Sequence, residues 1–150
     1  MSVKLSVTGV KEIDAVLKGL PRQLQDKVLA SAHVEAAKPL VEKAKLLAPE
    51  GPTGNLVDSI GTERLGKRGN EIGQVQAGPR RSGRHKGHVG HLVEYGTKFR
   101  KNRRGANRGV MRKKPFMEPA FRQTKGQVES SIGNAIGKKL LAFMKRTVRR

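Results

Sequence analysis

The stretch His91-Leu92-Val93-Glu94-Tyr95-Gly96-Thr97 is answered further along the chain by Pro115-Phe116-Met117-Glu118-Pro119-Ala120-Phe121. Both mix apolar residues with turn formers, the composition expected where a chain leaves a folded core and returns to it. Between them, nine of the 17 residues from 98 to 114 are basic and none is acidic. The nine are Lys98, Arg100, Lys101, Arg103, Arg104, Arg108, Arg112, Lys113 and Lys114. Like charges at that density repel one another, and little apolar surface offsets the lost chain entropy. The expectation is a mobile or extended loop that orders only against something negative. Gly96 is expected to adopt positive φ and turn the chain into this loop, with Pro115 and Pro119 aiming it at the exit.

Glu94 is the single acid between Glu71 and Glu118 and stands between Val93 and Tyr95. Its simplest reading is an ion pair with a nearby Arg or Lys that ties one end of the loop to the fold. Catalysis requires a second positioned group, and the 12 acids of the chain are otherwise scattered, so no enzymatic activity is expected. His85, His88 and His91 recur every third residue, but Gly87 and Gly90 between them argue against the rigid helix that would aim imidazoles at one metal. No metal and no cofactor is expected.

Toward the N-terminus, Val3, Leu5 and Val7 alternate with polar residues as in a half-buried strand. Ile13, Val16, Leu17 and Leu20 then fit a short helix that Pro21 ends. Leu24, Val28, Ala32, Ala36, Leu40, Ala44 and Leu47 recur at three- and four-residue intervals, predicting a helix over about 22–48 with a kink or break at Pro39. Residues 48–56 read as a loop, and 60–66 with 71–78 as two strands joined by Lys67-Arg68-Gly69-Asn70. In the second strand Val75 and Ala77 should face one side, Gln74 and Gln76 the other. Residues 79–90 form a second basic loop with Arg80, Arg81, Arg84 and Lys86. A closing helix begins near Pro119, which suits a first turn, and runs to about 146.

The chain has 150 residues, 35% hydrophobic content and no cysteine. That length suits one domain with a modest core and excludes disulfides and thiolate chemistry. With 3% aromatic residues, the core must rest on Leu, Val, Ile and Ala, with Phe116, Phe121 and Phe143 as its large members. The expected fold class is α+β: a small antiparallel sheet packed against a long helix in the N-terminal half and a C-terminal helix, with long basic loops. A formal charge of +20 favours polyanionic partners. No signal peptide or membrane span is apparent, so a soluble protein made in the cytoplasm is expected.

In order, Leu20-Pro21, the long helix ending Ala48-Pro49, Thr53-Gly54-Asn55-Leu56, Glu94-Tyr95-Gly96-Thr97 and Pro115-Phe116-Met117-Glu118-Pro119-Ala120-Phe121 resemble the head-to-tail joining family of tailed bacteriophages, called neck, tail-completion or minor tail proteins. Gly54, Leu56, Glu94, Tyr95, Gly96, Thr97, Pro115, Phe116, Pro119 and Phe121 carry the likeness. It implies a single domain over 1–150 that forms a homo-oligomeric ring in the virion neck or head-proximal tail, assembled in the host cytoplasm. Its neighbours would be head-completion or adaptor rings and the tail terminator or tail tube, with genomic double-stranded DNA passing through. The 98–114 loop is longer and more basic than the family pattern needs. DNA backbone or an acidic neighbouring ring would meet it and the 80–86 loop; membranes are not implied. The alternative is a non-specific double-stranded DNA-binding protein acting outside a virion, resting on charge alone.

Overall fold

A computed structural model describes residues 10–65, 72–82 and 86–148. The expected N-terminal strand, the 67–70 turn, Arg84 and His85 lie outside the described residues. The elements are α1 (Val10–Lys18), α2 (Arg22–Ala36), α3 (Lys38–Leu47), α4 (Asn55–Ser59), β1 (Ile60–Arg64), β2 (Val75–Pro79), a 3-10 turn (Gly87–Val89), α5 (Gly90–Tyr95) and α6 (Met117–Val148). β1 and β2 form a two-stranded antiparallel sheet. The fold class is therefore α+β, as the periodicities imply. No helix among the described residues is long and apolar enough to cross a membrane.

The break expected at Pro39 is present: α2 ends at Ala36 and α3 opens at Lys38. Proline has no N–H to offer the preceding turn, so the ladder cannot run through it. The Ala37 amide still closes α2 by donating to the His33 carbonyl at 2.9 Å. Residues 55–59, split in the sequence reading between loop and core return, form a short helix instead. Gly54 at φ +63° starts it, and the Asp58 amide donates back to the Gly54 carbonyl at 3.1 Å. The stretch 79–90, expected to be a loop, holds the 3-10 turn and the start of α5. Gly87 and Gly90 allow that packing: a Cβ on Gly87 would collide with the Arg80 carbonyl, and one on Gly90 would lie 2.6 Å from the Pro79 ring.

The chain divides into two compact units, residues 1–39, 62–76 and 124–150, and residues 40–61 and 77–123. In the first, Val28, Ala30, Ala32 and Ala36 of α2 are buried, as are Ala135 and Leu140 of α6. The Leu65 amide donates to the Gln74 carbonyl at 3.1 Å. Next to β2, Gly73 is pinned against α2 from both ends of its peptide. Its amide donates to the Asp26 carboxylate at 2.7 Å, and its carbonyl lies 2.7 Å from His33 Nδ1. Glu35 of α2 meets Lys139 and Lys138 of α6 at 2.8 and 3.3 Å.

The second unit holds the densest apolar cluster: Ala44, Leu56, Ile60, Val93, Phe116 and Ala120, flanked by Leu40, Val41, Ala48 and Met117. Phe116 and Ile60 are wholly buried. Phe121 is not a core residue. It is 50% exposed, because one residue past Ala120 the helix has turned about 100° away from the cluster. In β2, Val75 and Ala77 are half-buried and Gln76 is exposed, matching the expected alternation, whereas Gln74, just before the strand, is half-buried as well.

Candidate functional site

The two signature stretches meet. α5 delivers Glu94 into the second unit, where the residue is 8% exposed. No described cation pairs with its carboxylate. One oxygen accepts the amides of Phe116 and Met117 at 2.8 and 3.0 Å, and the other accepts the amide of Glu118 at 3.0 Å. A helix leaves its first four N–H groups without intrahelical partners. In α6 the first intrahelical bond runs from the Ala120 amide to the Phe116 carbonyl, so the four positions in question are Phe116, Met117, Glu118 and Pro119. Glu94 takes three of them, and the fourth is a proline with no N–H to satisfy.

The expectation that Glu94 ties down one end of the basic loop therefore holds, but through backbone amides rather than Arg or Lys. Three convergent N–H groups at the positive end of a helix give a carboxylate more donors in better geometry than one flexible cation can. Burial pushes the Glu94 carboxyl up, and the amides of Phe116, Met117 and Glu118 more than offset this, leaving it below the ordinary glutamate range. The Lys114 amide adds a bond to the Val93 carbonyl at 2.8 Å. Gly96 takes φ +74°, as expected, and a Cβ there would sit 2.8 Å from the Met111 carbonyl and 2.9 Å from the Lys113 amide.

The segment between these fixed ends is not a loop awaiting a partner. It folds back on itself as an arm. The Thr97 amide donates to the Met111 carbonyl at 2.9 Å, and the Met111 amide to the Thr97 hydroxyl at 3.0 Å. Further out, the Arg108 amide bonds the Arg100 carbonyl at 2.7 Å, Lys101 bridges Asn107, and the Asn102 amide bonds the Ala106 carbonyl at 2.9 Å. The tip is closed by the Asn102 side chain, whose oxygen accepts the amides of Arg104 and Ala106 at 3.0 and 2.8 Å. Gly105 and Gly109 carry the positive φ values that the turns require, +79° and +70°. Charge counting does not see the main-chain and asparagine hydrogen bonds that stabilise this folded-back ribbon in spite of the repulsion among its exposed cations.

Lys98, Arg100, Lys101, Arg103, Arg104, Arg108, Arg112, Lys113 and Lys114 are all exposed. None of them makes an ion pair with a described carboxylate. Of the other basic positions, Arg81 and Lys86 are exposed and Arg80 is half-buried. Arg80 lies along β1: its amide and its Nε both donate to the Ser59 carbonyl, at 3.0 and 3.1 Å, and its guanidinium covers Gly61. Tyr95 is 81% exposed beside the arm's base, and Leu56 is packed in the core. His88 and His91 are exposed, and no group of three or more potential metal ligands occurs among the described residues.

Asn102 and Asn107 escaped the sequence reading. Their signal was Asn placed two or three residues before Gly, a turn pattern in which the side-chain oxygen captures nearby amides; the Asn107 oxygen does so with Gly109 at 2.7 Å.

A family model described as "Bacteriophage HK97-gp10, putative tail-component" matches residues 11–96, more than half of the chain. The chain belongs to the HK97-gp10-like family. This bears out the resemblance to the tail and neck proteins of tailed phages. The HK97-gp10-like match ends at Gly96, so it includes α1 to α5, the sheet and Glu94, while the arm and α6 follow it. No curated protein and no solved structure matches the chain.

Proposed function

We propose that this HK97-gp10-like protein is a non-enzymatic structural subunit of the phage neck or head-proximal tail, forming a ring through which genomic double-stranded DNA passes. Family membership supports the placement in the tail region. The observation that carries the reading further is the arm with its return, nine exposed cations from 98 to 114, six of them on the hydrogen-bonded ribbon, with no described carboxylate to neutralise them. A cationic surface facing packaged phosphates lowers their repulsion from the channel wall, and such contact needs no base-reading motif. Neighbouring rings, on the head-completion or adaptor side and on the tail terminator or tube side, are the protein partners in this reading. Assembly takes place in the host cytoplasm.

Imaging the neck of purified virions by electron cryo-microscopy tests the proposal. Density for this chain in a closed ring around the DNA path is the expected outcome, and particles that contain no copies by mass spectrometry would defeat it. The formal charge of +20 also favours a second reading, a duplex-binding protein that works outside the particle. That reading predicts the protein in infected-cell lysate bound to DNA and none in virions.

A further inference from the structure

Arg100 and Arg108 face each other directly across the arm, with the Arg108 amide on the Arg100 carbonyl at 2.7 Å. Like charges directly opposed on a two-stranded ribbon destabilise it. The protein supplies no described carboxylate to relieve this pair, although the backbone around it is well bonded. The geometry therefore holds open a place for an external anion. Lys101, one residue on, projects to the opposite side of the ribbon by strand alternation, and Arg103 and Arg104 occupy the tip. Cations thus stand on both faces and at the end, so a matching partner must present negative charge on two sides at once. A flat acidic protein surface meets only one. The leading part of the arm, 102 to 108, reads Asn-Arg-Arg-Gly-Ala-Asn-Arg, with nothing apolar larger than Ala106 to seed the dry centre of a protein interface; the exposed Phe99, Val110 and Met111 lie back toward its base.

We infer that the 97–111 ribbon is a preformed probe for a groove of duplex nucleic acid, entering tip first with phosphates on either side. The inference rests on the reading that DNA meets the arm and adds the mode of contact. Dimensions agree: the duplex major groove, about 12 Å wide and about 8.5 Å deep, admits a two-stranded ribbon. The five steps from Thr97 to Asn102 reach roughly 16 Å at strand rise, enough to touch the groove floor. Asn102 is a positioning residue. It holds Arg103 and Arg104 in one tight turn so that both guanidinium groups arrive together, and it carries no charge itself.

The test uses the full chain and a 20-base-pair mixed-sequence duplex, with affinity measured across a salt series and guanine N7 protection from dimethyl sulfate read on the same duplex. The wild type should bind with a steep salt dependence and protect N7, which lies in the major groove. Arg103→Ala with Arg104→Ala should lower the salt slope by about two. Asn102→Ala keeps every charge, yet should weaken binding about fivefold, lower the slope by about one and abolish N7 protection, without changing the melting temperature of the protein. Equal affinity and slope for Asn102→Ala and wild type would overturn the ribbon geometry. Tight binding without N7 protection would overturn groove insertion, and displacement of the duplex by an equal charge concentration of poly-L-glutamate would assign the arm to an acidic protein. Virion content is a separate measurement, so loss of the ring reading and loss of this inference are distinguishable.

Discussion

The Glu94 carboxylate accepts the Phe116 amide at 2.8 Å across 22 residues of sequence, and in doing so joins the end of α5 to the start of α6. Everything between them, the whole arm, is an excursion from a closed junction. The arm's base is therefore fixed by the core rather than by the arm's own sequence.

Glu94→Ala removes the acceptor for three amides and should cost about 2–3 kcal/mol, the range for losing a charged cap in a buried setting. Glu94→Gln keeps one acceptor oxygen but turns an NH2 group toward amide donors, so about half that loss is expected. Urea titration of the two variants checks the order; equal losses would mean that the charge of Glu94, and not its acceptor oxygens, carries the contact.

The same contact predicts an acid dependence. The folded-state pKa of Glu94 is lowered from its ordinary 4.5, so its stabilisation is complete above that value and declines as pH falls through the lowered folded pKa. Glu35, held down first by Lys139 and then by Lys138, tilts the curve the same way. Subtracting the Glu94→Gln stability profile from the wild-type profile between about pH 2 and 6 isolates the Glu94 share. The difference should shrink toward acid.

Phe116 and Phe121 are five residues apart and should differ sharply in their response to truncation. Phe116 is fully buried, and Phe116→Ala should cost about 3–5 kcal/mol. Phe121 is half in solvent, and Phe121→Ala should cost under about 1 kcal/mol. Thermal or chemical denaturation settles the comparison.

Glycines 96 and 105 both have positive φ, +74° and +79°, yet their surroundings differ. At Gly105 a Cβ meets nothing within 4 Å, so Gly105→Ala carries only the left-handed penalty of roughly 1–2 kcal/mol. At Gly96 the new methyl collides with the backbone of Met111 and Lys113, adding a displacement of the arm's return strand. Amide hydrogen exchange at Thr97 and Met111 should quicken strongly in Gly96→Ala and stay near wild type in Gly105→Ala.

Local physics made much of this protein legible from its residues alone. Helix periodicity located α1, α2, α3 and α6, and Pro39 located the break between α2 and α3, because both depend on neighbours within a turn or two. Alternation and turn formers located β1 and β2, and the charge of the arm follows from composition. Three decisions belong to the tertiary structure. Glu94 caps a helix that begins more than twenty residues later, a relation that no local period encodes. Phe121 stays outside because the cluster around Phe116 and Ala120 occupies one side of α6. The arm folds back on itself because hydrogen bonds across it, one isolated bridge and the Asn102 side chain satisfy its backbone, and these outweigh the repulsion evident in its sequence.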